Sequence, residues 1–162
     1  SGAQFVFEKG TTSFGLMTSA AGVLQARLGG TTNIPMQSAG NWSRTEFVIV
    51  TAARISSTCN GFVDGSAMTT TGTTNTGSIS NSDVLDIGAA AVGGQTMTGD
   101  IAEILVGGAT LDDNQRTKIE GYLAHKYGLS ANLPSGHAYK NAAPSYLTKR
   151  GFGGLISGGL IS

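Results

Sequence analysis

Two histidines, His125 and His137, are the side chains of this sequence best suited to binding a metal ion or moving a proton near neutral pH. A zinc site would need further thiolate, imidazole or carboxylate ligands close by, and Cys59 is the only cysteine. No nucleophile motif of the form G-x-S-x-G accompanies the histidines. We therefore expect neither histidine to be catalytic or to bind metal, and we interpret both as structural.

Carboxylates are the other candidates for chemistry, because glycoside hydrolysis requires two of them on one face. Side chains alternate along a strand, so two carboxylates share a face when they are two residues apart. Asp83 and Asp86 are three apart, as are Asp100 and Glu103. A regular strand would point the members of each pair to opposite faces. The spacing argues against a glycoside hydrolase, and because no nucleophile motif is present either, we expect no enzyme.

Carboxylates could instead hold a structural calcium ion, which prefers oxygen ligands. Asp64, Asp83 and Asp86 are the candidate ligands, although the sequence contains no dense acidic loop. Glu46 and Asp64 could also meet in space, but their positions in the sequence do not require it. A structural calcium ion is therefore an open alternative, and we expect no other cofactor.

The composition is typical of a chain made of short strands and many turns. Only 12% of the 162 residues are charged, and 25 are glycine. Ten basic residues balance ten acidic ones, so there is no excess of positive charge for binding nucleic acid through phosphates. No apolar run approaches the roughly 20 residues that span a bilayer. We expect one domain that binds no nucleic acid and does not span a membrane.

Apolar residues that recur at every second position predict strands through the first two thirds of the chain. The strongest, residues 45–55, is apolar on both faces and should be central in its sheet. Asp64-Gly65 predicts a tight hairpin turn, and residues 66–82 predict a long polar loop or a weak edge hairpin. Many short strands indicate a sandwich or a barrel. The predicted strands are 4–8, 13–18, 22–28, 45–55, 84–88 and 100–106.

One helix is predicted at about residues 112–127. Asp112 can cap its first turn, with Gln115 completing a capping box. Gly128 should end it in a left-handed conformation. The residues that repeat at helical spacing, and should form its apolar face, are Ile119, Tyr122, Leu123 and Tyr127.

The helix and its surroundings carry a family resemblance. GDIAEI at 99–104, IEGYLAHKYGL at 119–129, Leu133-Pro134 and His137 together resemble the closing segment of laminin-G-like domains, which belong to the concanavalin A-like lectin and glucanase superfamily. The resemblance implies an all-β fold: an antiparallel two-sheet jelly-roll sandwich, residues 1–140, with one C-terminal helix. Residues 141–162, which are rich in glycine, are predicted to follow it as an extended C-terminal arm. The resemblance also implies one or two strands before residues 5–10. We therefore expect either a compact version of the fold or the C-terminal part of a longer polypeptide, with an exposed sheet edge that a neighbour covers.

The arm ends in a repeat, since GGLIS at 153–157 recurs at 158–162. Ordering glycine-rich chain is entropically costly, yet exposed apolar side chains favour association. A free terminus is the alternative, but we predict an arm that packs on a neighbouring subunit. Its partner-binding residues would be Phe152, Leu155, Ile156, Leu160 and Ile161.

The resemblance also suggests a setting, because laminin-G-like domains with this closing segment resemble decoration, fibre or adhesion modules of bacteriophages and bacterial surfaces. We expect a non-enzymatic virion structural module, a capsid decoration or head-associated protein of a bacteriophage, in a virion or extracellular location. Its partners would be other virion or assembly subunits. The alternative is a carbohydrate-binding module of a tail fibre or surface adhesin. Trp42, the only tryptophan, is interpreted as a core or strand-entry residue, and a hydrolase ranks third.

Overall fold

A computed structural model describes residues 2–10, 14–29, 36–42, 45–55, 58–70, 80, 82–90, 94–108 and 111–145. In these residues the protein is mostly β, with two antiparallel sheets and one α-helix. A short 3₁₀ turn, Ser130–Asn132, follows the helix. The elements are β1 (Gln4–Lys9), β2 (Phe14–Thr18), β3 (Val23–Leu28), β4 (Met36–Asn41), β5 (Val50–Ile55), β6 (Thr58–Val63), β7 (Ser66–Ala67), β8 (Thr69–Thr70), β9 (Leu85–Ile87) and α1 (Asp113–Lys126).

The larger sheet has six strands in the order β8-β4-β3-β2-β1-β9. Strands β1 to β4 pair with their neighbours in sequence as an antiparallel meander, which confirms the first three predicted strands. Strand β4 was not predicted, because residues 36–41 are mostly polar. On the face of the sheet that points away from the core cluster, Glu8 and Arg27 form an ion pair across Gly15 of the intervening strand, with side chains only 4% and 11% exposed. A glycine at that position leaves room for the two long side chains to meet.

The smaller sheet has three strands in the order β5-β6-β7. The predicted turn at Asp64-Gly65 is confirmed: both residues have positive φ, 48° and 77°, and Val63 pairs with Ser66. The predicted strand at 45–55 begins only at Val50, and among the described strands it lies at the edge of its sheet rather than at the centre. Phe47 is accordingly half exposed.

The two sheets pack face to face around one apolar cluster, as a sandwich requires. Gly61 allows their closest approach, since a Cβ at this position would lie 2.8 Å from Met68 Sδ and 2.9 Å from Met36 Sδ. The buried residues of this cluster are Leu24, Ala26, Met36, Cys59 and Met68.

The helix forms a third layer on the other face of the smaller sheet. Side chains alternate along β6, so Cys59 and Val63 contact the core while Phe62 points to the opposite face. The Arg116 guanidinium of α1 stacks 3.7 Å from the centre of the Phe62 ring. A second apolar cluster, in which Ile49, Ala124 and Leu133 are buried, fills the space between helix and sheet.

Both predicted ends of the helix are confirmed. The Asp112 side chain accepts a hydrogen bond from Gln115 N at 2.7 Å, and Gln115 Oε1 accepts one from Asp112 N, so the capping box is complete. Gly128 follows the last turn with φ 71°. The predicted apolar face is wrong in part, because Tyr122 and Tyr127 are more than a third exposed. The buried residues of α1 are Glu120, Gly121 and Ala124.

The predicted strand at 100–106 is also wrong. These residues are described, and they form no strand. They lie beside the end of the helix instead, where the Tyr127 hydroxyl donates to Glu103 Oε2 at 3.0 Å and Lys126 Nζ lies 3.1 Å from the same oxygen. Hydrogen bonding to Tyr122 and to Glu103 raises the pKa of Lys126. Side-chain contacts with the helix therefore position this segment.

Candidate functional site

Three features of the described residues could carry function: a buried charged cluster, an open cleft at Trp42, and an exposed sheet edge. The charged cluster centres on Glu120, whose side chain is 0% exposed. Arg116, one turn earlier on the helix, donates from Nη1 to Glu120 Oε2 at 2.6 Å. A buried carboxylate needs such a partner, because taking a charge out of water is costly. The other oxygen, Oε1, is buried and has no hydrogen-bond partner.

His137 is the second partner of Glu120 and belongs to the segment 133–140, which we call the strap. Its Nδ1 accepts a hydrogen bond from Tyr139 N at 3.2 Å, so the ring hydrogen lies on Nε2 in the neutral form. Nε2 then donates to Glu120 Oε2 at 3.3 Å. The His137 side chain is only 3% exposed. Because solvent scarcely reaches the imidazole, this arrangement ties the strap to the helix rather than presenting an acid or base to a substrate.

Two glycines allow the strap to lie this close. A Cβ at Gly121 would lie 2.8 Å from Tyr139 Cγ, and a Cβ at Gly65 would lie 3.0 Å from His137 Cδ2. The strap therefore contacts both the helix and the turn between β6 and β7. His125 adds a further tie, since its Nε2 lies 2.8 Å from Tyr139 O. The structure thus places both predicted histidines at the strap, in contacts that hold the chain together.

The second feature is an open cleft of about 360 Å³ beside Trp42. The indole packs against the core cluster, and its Nε1 donates to Glu46 O at 3.2 Å. Ser38 Oγ accepts from Leu24 N at 3.1 Å and donates to Gly40 O at 2.6 Å, which shapes the wall. Apolar, aromatic, amide, hydroxyl and carboxylate groups meet here, a mixture suited to small polar ligands. The lining residues are Leu24, Ser38, Gly40, Asn41, Trp42, Glu46 and Val63.

Glu46 is also close enough to Asp64 to influence its ionisation. Burial raises the pKa of Asp64, and the Glu46 charge raises it further, while the hydrogen bond from Ile49 N opposes both effects. That bond is 2.8 Å long and ends on Oδ1. The fold therefore brings together the two carboxylates that the sequence left apart. Asp64 is engaged in closing the hairpin.

The third feature is the edge of the larger sheet at β9. Ile87, Phe7, Leu16, Ala26 and Met36 are successive cross-strand neighbours and form one row. Exposure rises along this row, from 0% at Met36 and Ala26 to 59% at Ile87. Leu85, two residues earlier on the same face, is 41% exposed. The apolar face of the larger sheet thus extends as far as β9, where the core no longer buries its side chains.

The predicted partner-binding residues, Phe152, Leu155, Ile156, Leu160 and Ile161, lie outside the described residues. In the described ranges, no group of three His, Cys, Asp or Glu side chains is placed to hold a metal ion. No helix in those ranges is long and apolar enough to cross a membrane.

Comparison with known proteins gives no relative. No family model, curated protein or solved structure matches this chain.

Sequence reasoning did not single out Glu120, the most buried charged residue among those that the structure describes. Arg116 precedes Glu120 by four residues, the spacing at which helical side chains meet. That Arg–Glu spacing was the available signal. The role of Trp42 was half predicted: the indole packs on the core, but it also lines a cleft.

Proposed function

We propose that this chain is a non-enzymatic interaction module of a virion: a jelly-roll sandwich of the laminin-G-like type that serves as a capsid decoration or head-associated protein of a bacteriophage. The observation that carries the assembly role is the apolar edge at β9. Leu85 and Ile87 are large apolar side chains left 41% and 59% exposed on a regular strand. Exposed apolar edge strands mediate association unless they are covered. The resemblance of the closing segment supports the virion setting.

The charged cluster also supports the proposed assembly role. Its buried Glu120, Arg116 and His137 fasten the strap to the helix and to the β6–β7 turn. Residues 141–162 follow this anchored point directly in the sequence. A fixed base followed by an apolar, glycine-rich arm suits a module that reaches a neighbouring subunit.

Assembly in solution tests the proposal. The full chain should sediment as a concentration-dependent oligomer, and a variant lacking residues 151–162 should sediment as a monomer with an unchanged circular dichroism spectrum. All described strands and the helix precede residue 146, so the deletion spares them. The virion setting is tested separately, by detecting the chain in purified particles by mass spectrometry. A full chain that remains monomeric at all concentrations, and is missing from particles, would contradict the proposal.

A second candidate function is saccharide binding at the Trp42 cleft. Sugars bind proteins through an aromatic face for their C–H groups and through amide or carboxylate groups for their hydroxyls, and Trp42, Asn41 and Glu46 supply these chemistries in one place. The cleft supports the alternative of a carbohydrate-binding module of a tail fibre or surface adhesin.

A further inference from the structure

Strand β9 has one edge bound to β1 and one edge that no described strand pairs with. The hydrogen bond from Gly88 N to Val6 O, together with the register Asp86 opposite Glu8, fixes which backbone groups face β1. Bonding alternates along an antiparallel pair, so the N–H and C=O groups of Leu85 and Ile87 point away from β1. Two donors and two acceptors are therefore presented at the outer edge of the sheet.

The turn after β9 limits the length of any strand that could use these groups. Gly88 has φ 76°, and its carbonyl accepts a hydrogen bond from Met97 N at 2.8 Å. Ala89 and Thr96 form an antiparallel bridge, so the chain folds back after Gly88 and places residues 96–97 beside the end of β9. The free edge is therefore about three residues long. It carries the apolar side chains of Leu85 and Ile87, with the charged Asp86 between them.

The chain itself contains a segment with matching chemistry. Residues 146–162 follow the last described residue, and they end in two copies of GGLIS. Seventeen residues can extend roughly 56 Å at about 3.3 Å per residue. That length exceeds the roughly 40 Å diameter expected for a domain of this size. The arm can therefore reach a second copy. Glycines without side chains allow its backbone to approach a strand closely.

We propose that the arm of one copy adds as a strand to the outer edge of β9 in a second copy. This inference rests on the proposed assembly function and names the surface that performs it. The backbone of the arm bonds to the groups of Leu85 and Ile87, and its apolar side chains extend the row that runs through Phe7 and Leu16. The arm and the β9 edge are two different surfaces, so the contact between copies is heterologous. Repeated contacts of this kind give either a closed ring or an open chain of subunits.

Strand addition makes a prediction about the arm itself, because alternate side chains of a strand face opposite ways. Ile156 and Leu160 are four residues apart and would share one face of the added strand. Leu155 and Ile161, six apart, would share the other face. Only one of these pairs can continue the row of Leu85 and Ile87, so the double variants I156S/L160S and L155S/I161S should differ at least about tenfold in docking, although each loses one leucine and one isoleucine. Equal losses in the two variants would overturn strand addition.

The docking site is tested with a peptide of residues 149–162 added to the variant that lacks residues 151–162. Amide NMR shifts should be largest at residues 85–87. Ile87→Lys should weaken binding at least about tenfold, because it places a charge beside the apolar strand. Leu85→Pro removes an outward N–H that pairing with β1 does not use, and should weaken binding similarly. The matched control is Val106→Lys, since Val106 is 50% exposed and lies outside β9; it should bind like the parent.

The possible failures can be told apart. Peptide binding whose shifts lie away from β9, or that Ile87→Lys and Val106→Lys weaken equally, overturns the docking site even if the full chain forms oligomers. A full chain that stays monomeric while the peptide binds at β9 overturns docking between copies and the assembly role, and leaves the arm docked on its own sheet. No peptide binding at millimolar concentration overturns the inference whatever the oligomeric state.

Discussion

Glu120 of the helix and His137 of the strap meet in the interior with 3.3 Å between carboxylate Oε2 and imidazole Nε2, although seventeen residues separate them in sequence. Both side chains are almost fully buried. Removing the carboxylate leaves the Arg116 charge without its 2.6 Å partner and His137 without an acceptor. Glu120→Ala should therefore lower the free energy of unfolding by about 3–5 kcal/mol, measured by urea denaturation.

The same arginine offers a matched control for that experiment. Asp113 lies 3.3 Å from Arg116 Nε, but its side chain is 88% exposed. An exposed ion pair contributes little, so Asp113→Ala should cost about 0.5 kcal/mol or less. Similar costs for the two variants would show that Glu120 is not the centre of a buried network.

The close approach of strap and helix predicts a strong difference between two glycines. At Gly121, an added Cβ would lie 2.8 Å from Tyr139 Cγ, so Gly121→Ala must displace the strap. We expect a loss of about 1–3 kcal/mol in the free energy of unfolding. Gly136 has nothing within 4 Å of the corresponding position, and Gly136→Ala should be neutral or slightly stabilising. Thermal unfolding of both variants measures the difference, and equal midpoints would contradict it.

Asp64 predicts a pH dependence of stability. Its pKa is raised in the folded state above the ordinary value of 3.8, mainly by burial. The fold therefore favours the neutral carboxyl, and stability is lost as pH rises through the folded pKa. Asp64→Asn keeps the acceptor for Ile49 N and tolerates the positive φ. It should stabilise the protein at pH 7 by less than about 1 kcal/mol, because the group is partly exposed and screened.

The gain from Asp64→Asn should disappear below about pH 3.8, where the carboxyl is neutral in both the folded and unfolded states. Unfolding midpoints measured from pH 3 to pH 8 provide the test. A gain that grows toward low pH would reverse the sign and contradict the assignment.

Saccharide binding at the cleft can be read from Trp42 directly, because it is the only tryptophan. Titration with glucose, galactose, N-acetylglucosamine and their β-linked dimers should change its fluorescence if the second candidate function holds. Asn41→Ala should remove the response without unfolding the domain, since Asn41 is exposed. Glucuronic acid should bind more weakly than glucose, because Glu46 repels its charge. An unchanged spectrum with every sugar would leave the cleft without this role.

Local signals in the sequence were sufficient for several elements. The capping box at Asp112 and Gln115 and the turn at Asp64-Gly65 depend on residues within a few positions of each other, and both are confirmed. The first strands alternate clearly, so their pairing as a meander could be expected. Such elements can be predicted without knowing which distant residues they contact.

Features that depend on distant contacts could not be predicted in this way. Residues 100–106 alternate like a strand, but their position is set by Tyr127 and Lys126 on the helix. Residues 36–41 lack an apolar pattern, yet β4 forms because β3 and β8 flank it. Glu120 is buried because the strap, the helix and the face of the smaller sheet that carries Phe62 pack around it. The burial of a charge in this protein is a property of tertiary structure, not of helical periodicity.

The strap also determines when the fold can be completed during synthesis. Ile49 is buried by Ala124 and Leu133, and the outer face of the smaller sheet is covered by a helix that begins at Asp113. A ribosome-bound chain that has exposed only its first hundred residues can pair its strands but cannot cover Phe62. Because contacts this distant in sequence form late, Ile49 and Phe62 stay uncovered in the nascent chain until the helix and the strap have left the exit tunnel. A chaperone that holds nascent chains would find its binding site there.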